Sequence, residues 1–324
     1  AGGSFTVYCP QRDFLSLLNL GDGGAVASKW GVSADGDWVF RLKERIDRRF
    51  MGRFQVLAGA RLDSLDFEEK LVPTDRDATK LSPLGGLVFV PTRGLSLYAS
   101  AGSAFGPPSS LVVGEREPEE SWQIEAGIKK KFLGGKAFAT GAYYHLDKDN
   151  IAIPDGTGVT RQAGDQRADG FEAELQVQAH PGLYVTASYA FTDAELTSFS
   201  EMVFLGDQPP FFLVRDHSGN RPAFAPRHLF NAWAVKDLPG GFQLGAGARY
   251  VGEQFISEDN AFAIEDYFLL DAMAAYRRGR FKGSLHFKNI TDTEYETRGF
   301  GSSSVIPASP FAVYGRIEIG LGSH

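Results

Sequence analysis

The amino-acid sequence predicts an all-β chain whose antiparallel strands form part of a transmembrane β-barrel. Three observations carry that expectation. Apolar and polar residues alternate with a period of two along most of the chain, the alternating segments outlast ordinary globular strands, and their connections sort into short turns and long loops that follow one another in turn.

The alternation is visible from the first third of the chain onward. In FQVLAGARLD, residues Phe54, Val56, Ala58, Ala60 and Leu62 face away from Gln55, Arg61 and Asp63. In WQIEAGIK, Trp122, Ile124, Ala126 and Ile128 oppose Gln123, Glu125, Gly127 and Lys129. The clearest case is FEAELQVQA, where Phe171, Ala173, Leu175, Val177 and Ala179 alternate with Glu172, Glu174, Gln176 and Gln178. FQLGAGARY (242–250) and FKGSLHFK (281–288) repeat the pattern. A soluble sandwich alternates in the same way, so alternation alone does not separate it from a barrel.

Length and connections separate them. Globular strands have a mode of about five or six residues, whereas the segments here are expected over 119–132, 136–153, 164–179, 182–197, 241–257 and 280–298. Such runs suit tilted strands that cross a bilayer and project beyond it. The short connections are PTRG (91–94), LGGK (133–136), HPG (180–182), DLPGG (237–241) and RRGR (277–280). Between them fall the long ones, 67–77, 105–118, 153–163, 197–222, 257–263 and 299–309. Turns on one side and loops on the other are the asymmetry of outer-membrane barrels, turns periplasmic and loops outside. Aromatic residues such as Tyr98, Tyr143, Tyr189, Tyr250, Tyr267 and Tyr276 cluster toward strand ends, where interfacial girdles form. About thirteen strands are expected from residue 31 onward, an odd count in a class that closes with an even one, which points to partner strands upstream.

Composition removes other classes. No stretch of about 18 apolar residues occurs, so no transmembrane helix is expected. The net charge of -7 leaves no clustered basic surface for nucleic acid. A single cysteine, Cys9, excludes a disulfide framework and a cysteine-based zinc site within these residues. The opening AGGSF has neither an initiator Met nor a signal peptide, and is expected to follow processing or truncation.

At this point the residues resemble a family. LSPLGGLVFVPTRGLSLYASAGSAFGPPSS (81–110) followed by EPEESWQIEAGIK (117–129) is similar to the barrel of TonB-dependent receptors. So are GDQRADGFEAELQVQAHPGLYVTASYAFTDAEL (164–196), RPAFAPRHLFNAW (221–233), RYVGEQF (249–255) and KNITDTEYE (288–296), in the family's order. The resemblance implies a 22-stranded barrel of which this chain supplies about the last thirteen strands, residues 1–30 being an extracellular-loop-like segment and 31–324 barrel wall. It implies that the plug domain and the box that meets TonB lie outside this chain, and that the protein sits among outer-membrane lipids and imports a scarce nutrient such as a ferric siderophore. A departure is the end of the chain: the family finishes on an aromatic residue, and here Ile317, Ile319 and Leu321 lead to His324.

In such a receptor the residues that matter line outer loops. Phe204, Phe211 and Phe212 in loop 197–222 are candidates to contact an aromatic or apolar ligand, and Arg215 and His217 to meet its negative charge. Phe105, Tyr295, Arg298 and Phe300 are candidates by position at strand tops. Arg61, Glu125, Glu172, Glu174 and Arg249 are expected on the inner, polar face, where a wet or plugged interior tolerates them. Two other readings stay open, a passive porin-like channel and an outer-membrane hydrolase. For the hydrolase Ser284 and His286 share a strand face, but no carboxylate is spaced to orient the imidazole, and no catalytic site, cofactor or metal set is expected.

Overall fold

The computed structural model describes residues 16–19, 25–29, 32–35, 53–68, 75–107, 117–154, 160–206, 210–300 and 304–320. In chain order the strands are β1 (Ser16–Asn19), β2 (Ala25–Lys29), β3 (Val32–Asp35), β4 (Phe54–Glu68), β5 (Asp75–Thr92), β6 (Leu95–Gly106), β7 (Glu119–Phe132), β8 (Ala137–Pro154), β9 (Thr160–His180) and β10 (Leu183–Phe204). There follow β11 (Phe212–Asp216), β12 (His228–Leu238), β13 (Phe242–Val251), β14 (Gln254–Phe255), β15 (Ala263–Ile264), β16 (Tyr267–Arg278), β17 (Phe281–Lys288), β18 (Glu296–Phe300), β19 (Ser304–Pro307) and β20 (Ala312–Ile319).

Two compact units are distinguished, residues 1–56 with 88–90, and residues 57–87 with 91–324. In the first, β1, β2 and β3 form a small antiparallel sheet in which Leu17 faces Ala27 and Ala27 faces Ala34. There the Phe54 ring stacks on Phe89 at 4.6 Å, and the Val90 N–H donates to the Arg53 carbonyl at 2.7 Å. The boundary expected at residue 31 falls between β2 and β3.

The second unit is built on a sheet of thirteen strands ordered β20-β17-β16-β13-β12-β10-β9-β8-β7-β6-β5-β4, with β11 attached beside β10. Neighbours in sequence are neighbours in space, so the sheet is a meander of hairpins. Each predicted short connection is a tight turn between such neighbours. At His180–Gly182, for example, Gly182 takes φ of 71°, a left-handed conformation that a side chain would strain. Among the described residues this sheet has thirteen strands, beginning at Phe54 and with β11 included; residues 36–52, where most of the expected first strand falls, lie outside the described residues.

The register sorts the residues into two faces. One row runs Ala126, Tyr143, Phe171, Phe191, His228, and another Lys236, Leu244, Ala274, Leu285, Gly315. Large apolar side chains on this face stay uncovered: Ile317 is 70%, Leu244 50% and Phe171 44% exposed. A sandwich would have packed these stripes against a second sheet. Instead, the buried cluster is a small one, Leu196 and Phe199 with Ile151 against them, at the long-loop end. An apolar face that no protein covers is what a barrel presents to lipid.

The apolar band has sharp borders. On β10 it runs from Leu183 to Phe191, and on β9 from Ala179 to Phe171, in keeping with the about 9–11 residues a tilted strand needs to cross. The next row toward the long loops is charged, His145 beside Asp169 beside Asp193. His145 lies 2.9 Å from Asp169 and 3.1 Å from Asp147, and the Tyr143 hydroxyl donates to Asp169.

The opposite face is polar and carries Glu125, Tyr144, Glu172, Glu174, Asn231, Arg249 and Asp271. Its aromatics lie flat over glycines of neighbouring strands. A Cβ on Gly247 would overlap the Trp233 ring, and one on Gly127 would come within 2.6 Å of the Tyr98 ring.

Two predicted strands end early. The segment expected over 241–257 stops at Val251, and the one over 280–298 stops at Lys288. In the second case Asn289 (φ 50°) and Asp292 (φ 51°) turn the chain. The Asn289 amide then locks the turn, donating to the Thr293 carbonyl at 2.9 Å and accepting the Thr293 N–H at 3.0 Å.

Candidate functional site

At the long-loop end, β10 continues past the apolar band and pairs with β11, Phe204 opposite Phe212, Met202 opposite Val214 and Glu201 opposite Arg215. A bulge between Leu196 and Ser198 shifts the register there. That shift puts Leu196 and Phe199, three apart, on the same polar-side face, where both are buried. The hairpin above them is uncovered: Leu205, Phe211, Phe212, Leu213 and Val214 are all exposed.

His217 closes the base. Its ring stacks on Phe199 at 5.8 Å and its Nε2 lies 2.9 Å from Glu201 Oε2, while its backbone N–H donates to the Phe199 carbonyl. With 8% of its side chain exposed, His217 is a rivet of the loop, whereas Arg215 stands exposed beside it.

A second loop, 252–264, joins the first through backbone and amide bonds. The Arg221 N–H donates to Asn260 Oδ1 at 2.9 Å, and Asn260 Nδ2 returns a bond to the Arg221 carbonyl at 2.8 Å. Asn220 Nδ2 reaches the Glu258 carbonyl, and the Phe224 N–H the Phe255 carbonyl, each at 2.8 Å. The Arg221 guanidinium sits over the Phe255 ring at 5.2 Å and donates to the carbonyls of Ala225 and Glu253.

This junction gathers charge. Burial pushes the Glu258 carboxyl above its ordinary value, and the nearby Glu201 and Asp259 push the same way against two backbone N–H bonds. For Asp259 burial also opposes ionisation. Bonds from the Ser257 hydroxyl and Ala261 N–H, with the charges of His217 and Arg215, outweigh it, so that carboxyl sits below its ordinary value.

The third loop packs on the second. The β18–β19 hairpin sets Arg298 opposite Ile306 and Phe300 opposite Ser304, and a Cβ on Gly299 would come within 2.7 Å of the buried Ile256. Tyr295 packs on Tyr267 with ring centroids 4.5 Å apart.

Of the candidates from sequence, Arg215 and His217 come together at Glu201, Arg215 opposite it in register and His217 bonded to it. Phe211 and Phe212 stand at the exposed tip, with Phe204 paired to Phe212. Arg298, exposed, and Phe300 belong to a hairpin tied in through Ile256. Phe105 is apart: β6 is separated from β10 by β7, β8 and β9, its register puts it on the face of Leu97, and its carbonyl accepts Arg61 Nη2 at 3.1 Å. Sequence reasoning missed Glu201, Arg221, Glu258, Asp259 and Asn260. Only Asn260 carries a local signal, an Asp-Asn pair of the kind that favours turns, with φ of 53°. Among the described residues no group of three or more His, Cys, Asp or Glu is placed to hold a metal ion. Ser284 Oγ lies 3.2 Å from His286 Nε2 on the polar face, with no carboxylate bonded to that imidazole among the described residues.

The family model described as "TonB dependent receptor-like, beta-barrel" matches residues 7–291. The chain is 30% identical over 264 residues to the ferrichrome outer membrane transporter/phage receptor of Escherichia coli K12, covering 76% of the chain and 33% of that protein. To the ferrioxamine B receptor of Salmonella typhimurium it is 26% identical, covering 80% of the chain and 35% of the relative. The crystal structure of the siderophore receptor PiuA from Acinetobacter baumannii superposes with a TM-score of 0.69 at 21% identity, over 82% of this chain and 41% of that one. The chain therefore spans about a third of the length of the curated relatives it matches.

Proposed function

Because this chain belongs to the TonB-dependent receptor β-barrel family, we propose that it supplies wall and outer loops of an outer-membrane receptor that imports a ferric siderophore with energy delivered through TonB. The family is one of receptors, not enzymes, and its barrels lie in the bacterial outer membrane. In this reading residues 31–324 are wall and loops, residues 1–30 belong to an extracellular loop, and TonB acts through a plug domain of the whole receptor.

The observation that carries the reading is the β10–β11 hairpin. It lifts Phe211, Phe212 and Leu213 into solvent with Arg215 below them, on a base riveted by Phe199, His217 and Glu201. Apolar contact area next to a cation suits an amphipathic, anionic chelate, and a fixed base lowers the ordering cost of binding. Relatives whose names specify ferrichrome and ferrioxamine B support the ligand class.

The test is equilibrium binding of ferric hydroxamate and ferric catecholate siderophores to the protein in detergent, followed by tryptophan quenching. Saturable nanomolar-class binding is expected, with Phe211→Ala, Phe212→Ala and Arg215→Ala each weakening it about ten-fold as central anchors do. Undiminished affinity in the triple variant would remove the hairpin from the binding site.

A further inference from the structure

Charge is unevenly placed along the strands that run from β6 to β20. At the short-turn end, the apolar face finishes in cations: Lys130 follows Ile128 on β7, Lys236 shares the row of Leu244, and Arg278 follows Tyr276 and faces Phe281. Lys136 and Arg280 stand exposed in the adjoining turns. Among the described residues of these strands, the carboxylates at this end are Asp237 and Glu318, which lie on the polar face and are already engaged. Gln243 Nε2 donates to Asp237 at 2.8 Å, and Arg316 pairs with Glu318 at 2.9 Å. Lys130, Lys136, Arg278 and Arg280 make no ion pair among the described residues.

The long-loop border of the same face is built differently. Its basic residues His145 and Arg167 each have a carboxylate, Asp169 and Asp147 for the histidine and Asp147 for Arg167, and Arg227 just beyond β12 reaches Asp193 of the same row. Local neutralisation at one border and uncompensated positive charge at the other cannot follow from net charge, because the chain as a whole carries -7.

Immediately beside the uncompensated cations lies exposed apolar surface. Phe242 and Tyr276 pack with centroids 4.7 Å apart, and Phe281, Ile317 and Ile319 are exposed around them. Lys and Arg at such a border lay their stems along acyl chains and extend their heads to the headgroup level. There an ammonium meets a phosphate as a point charge, and a guanidinium meets it with two parallel N–H bonds.

We propose that this rim binds anionic phospholipid headgroups of the leaflet at the short-turn side, with Lys130, Arg278 and Arg280 as contacts. The inference rests on the membrane reading above, in which the short turns mark the periplasmic side. Distribution favours a lipid over an acidic protein. The unpaired cations stand at two separate turns, Lys130 and Lys136 around β7–β8 and Arg278 and Arg280 around β16–β17, with β9, β10, β12 and β13 between them in the ladder, and both turns adjoin the apolar band. A bilayer surface meets such a line of charges everywhere at once, whereas a compact protein patch needs them clustered.

The test uses the protein extracted from outer membranes and placed in nanodiscs of phosphatidylethanolamine with a minor fraction of phosphatidylglycerol. Native mass spectrometry then counts the lipids that stay bound. The expected result is enrichment of phosphatidylglycerol over its bulk fraction, falling by up to about five-fold for each of Lys130→Gln, Arg278→Gln and Arg280→Gln, and falling further with added salt. Lys236, whose ammonium is held by the Pro181 carbonyl at 3.0 Å, is left in place. Siderophore binding by the same variants reports folding and is expected to be unchanged, since the substitutions lie at the opposite end of the strands from the loop cluster. Phosphatidylglycerol bound no better than phosphatidylethanolamine, or enrichment that survives in the triple variant, overturns the proposal while leaving the receptor reading standing. Cross-linking of Lys136 to a periplasmic protein without lipid enrichment assigns the rim to that partner and overturns it equally.

Discussion

Replacing Phe199 by alanine separates the residues that hold the outer hairpin from those that would touch a ligand. The ring is 3% exposed, packs with Leu196 and Ile151, and carries the His217 imidazole on its face. Truncation of a buried phenylalanine costs about 3–5 kcal/mol, and the lost stacking accounts for about 0.5–1.5 kcal/mol of such effects. These contacts lie where β8 and β10 project past the apolar band, so the cost falls mainly on local opening at the long-loop end. Opening should become more frequent by roughly two to three and a half orders of magnitude, since each 1.4 kcal/mol is ten-fold. Hydrogen exchange reads this at three amides: His217, bonded to the Phe199 carbonyl, Gly219, bonded to the Leu196 carbonyl, and Leu196, bonded to the Asn220 carbonyl. Amides of the β12–β13 ladder serve as the internal reference and should keep their protection. Phe211→Ala, at a residue 48% exposed, should change none of the three. Equal loss of protection in the Phe199 and Phe211 variants would refute the reasoning, because burial at the base would then not be what orders the hairpin.

Three further perturbations probe other parts of the molecule. Gly247→Ala sets a Cβ into the Trp233 ring and should destabilise the wall by about 1–3 kcal/mol, seen as a lower temperature of conversion from the compact band in unheated gels; Gly106→Ala, with open space around it, should leave that temperature unchanged. Leu175→Arg places a charge in the middle of the apolar face of β9 and should cost about 2–4 kcal/mol in urea unfolding from lipid vesicles, whereas Gln176→Arg on the polar face should cost little; similar losses would mean that the two faces do not differ in solvent. The loop 252–264 contains opposed titrations. Burial raises the Glu258 carboxyl, so its contribution favours the packed loop at acidic pH and is lost as pH rises through the raised value; Asp259 is lowered, so its contribution is present above the ordinary carboxylate value and is lost as pH falls. Proteolysis within this loop should accordingly become more acid-sensitive in Glu258→Gln and more base-sensitive in Asp259→Asn, and identical pH profiles in the two variants would exclude the assignment.

What could be read from the residues is what the two-residue period controls. The faces of β7, β9 and β13 follow from alternation because one apolar stripe must leave water as a unit, and a register slip of one residue would invert it. Turn chemistry gave the short connections for the same local reason, a Gly at a left-handed position in HPG or RRGR. The overlong expectation over 280–298 fails where the period itself lapses: in KNITDTEY only Ile290 and Tyr295 are apolar, and Asn289 offers the backbone a side-chain partner, so the ladder ends. The family resemblance extended beyond these local signals to the barrel as a whole.

The loop cluster obeys another logic, and the place of His217 at its base shows it. Its partner Phe199 comes to the same face as Leu196 only because a bulge inserts one residue between them, and no period announces a bulge. Asn260 and Arg221 bind each other across 39 positions of sequence, and Asn220 reaches Glu258 across 38. Such bonds join loops whose own sequences have no repeating pattern, so they are specified by where the strands beneath deliver the chain. The wall is therefore a prerequisite of the site in a physical sense: β10, β12, β13 and β16 fix the take-off points of the loops, and loop 252–264 then couples the hairpin that carries Arg215 to the one that carries Arg298.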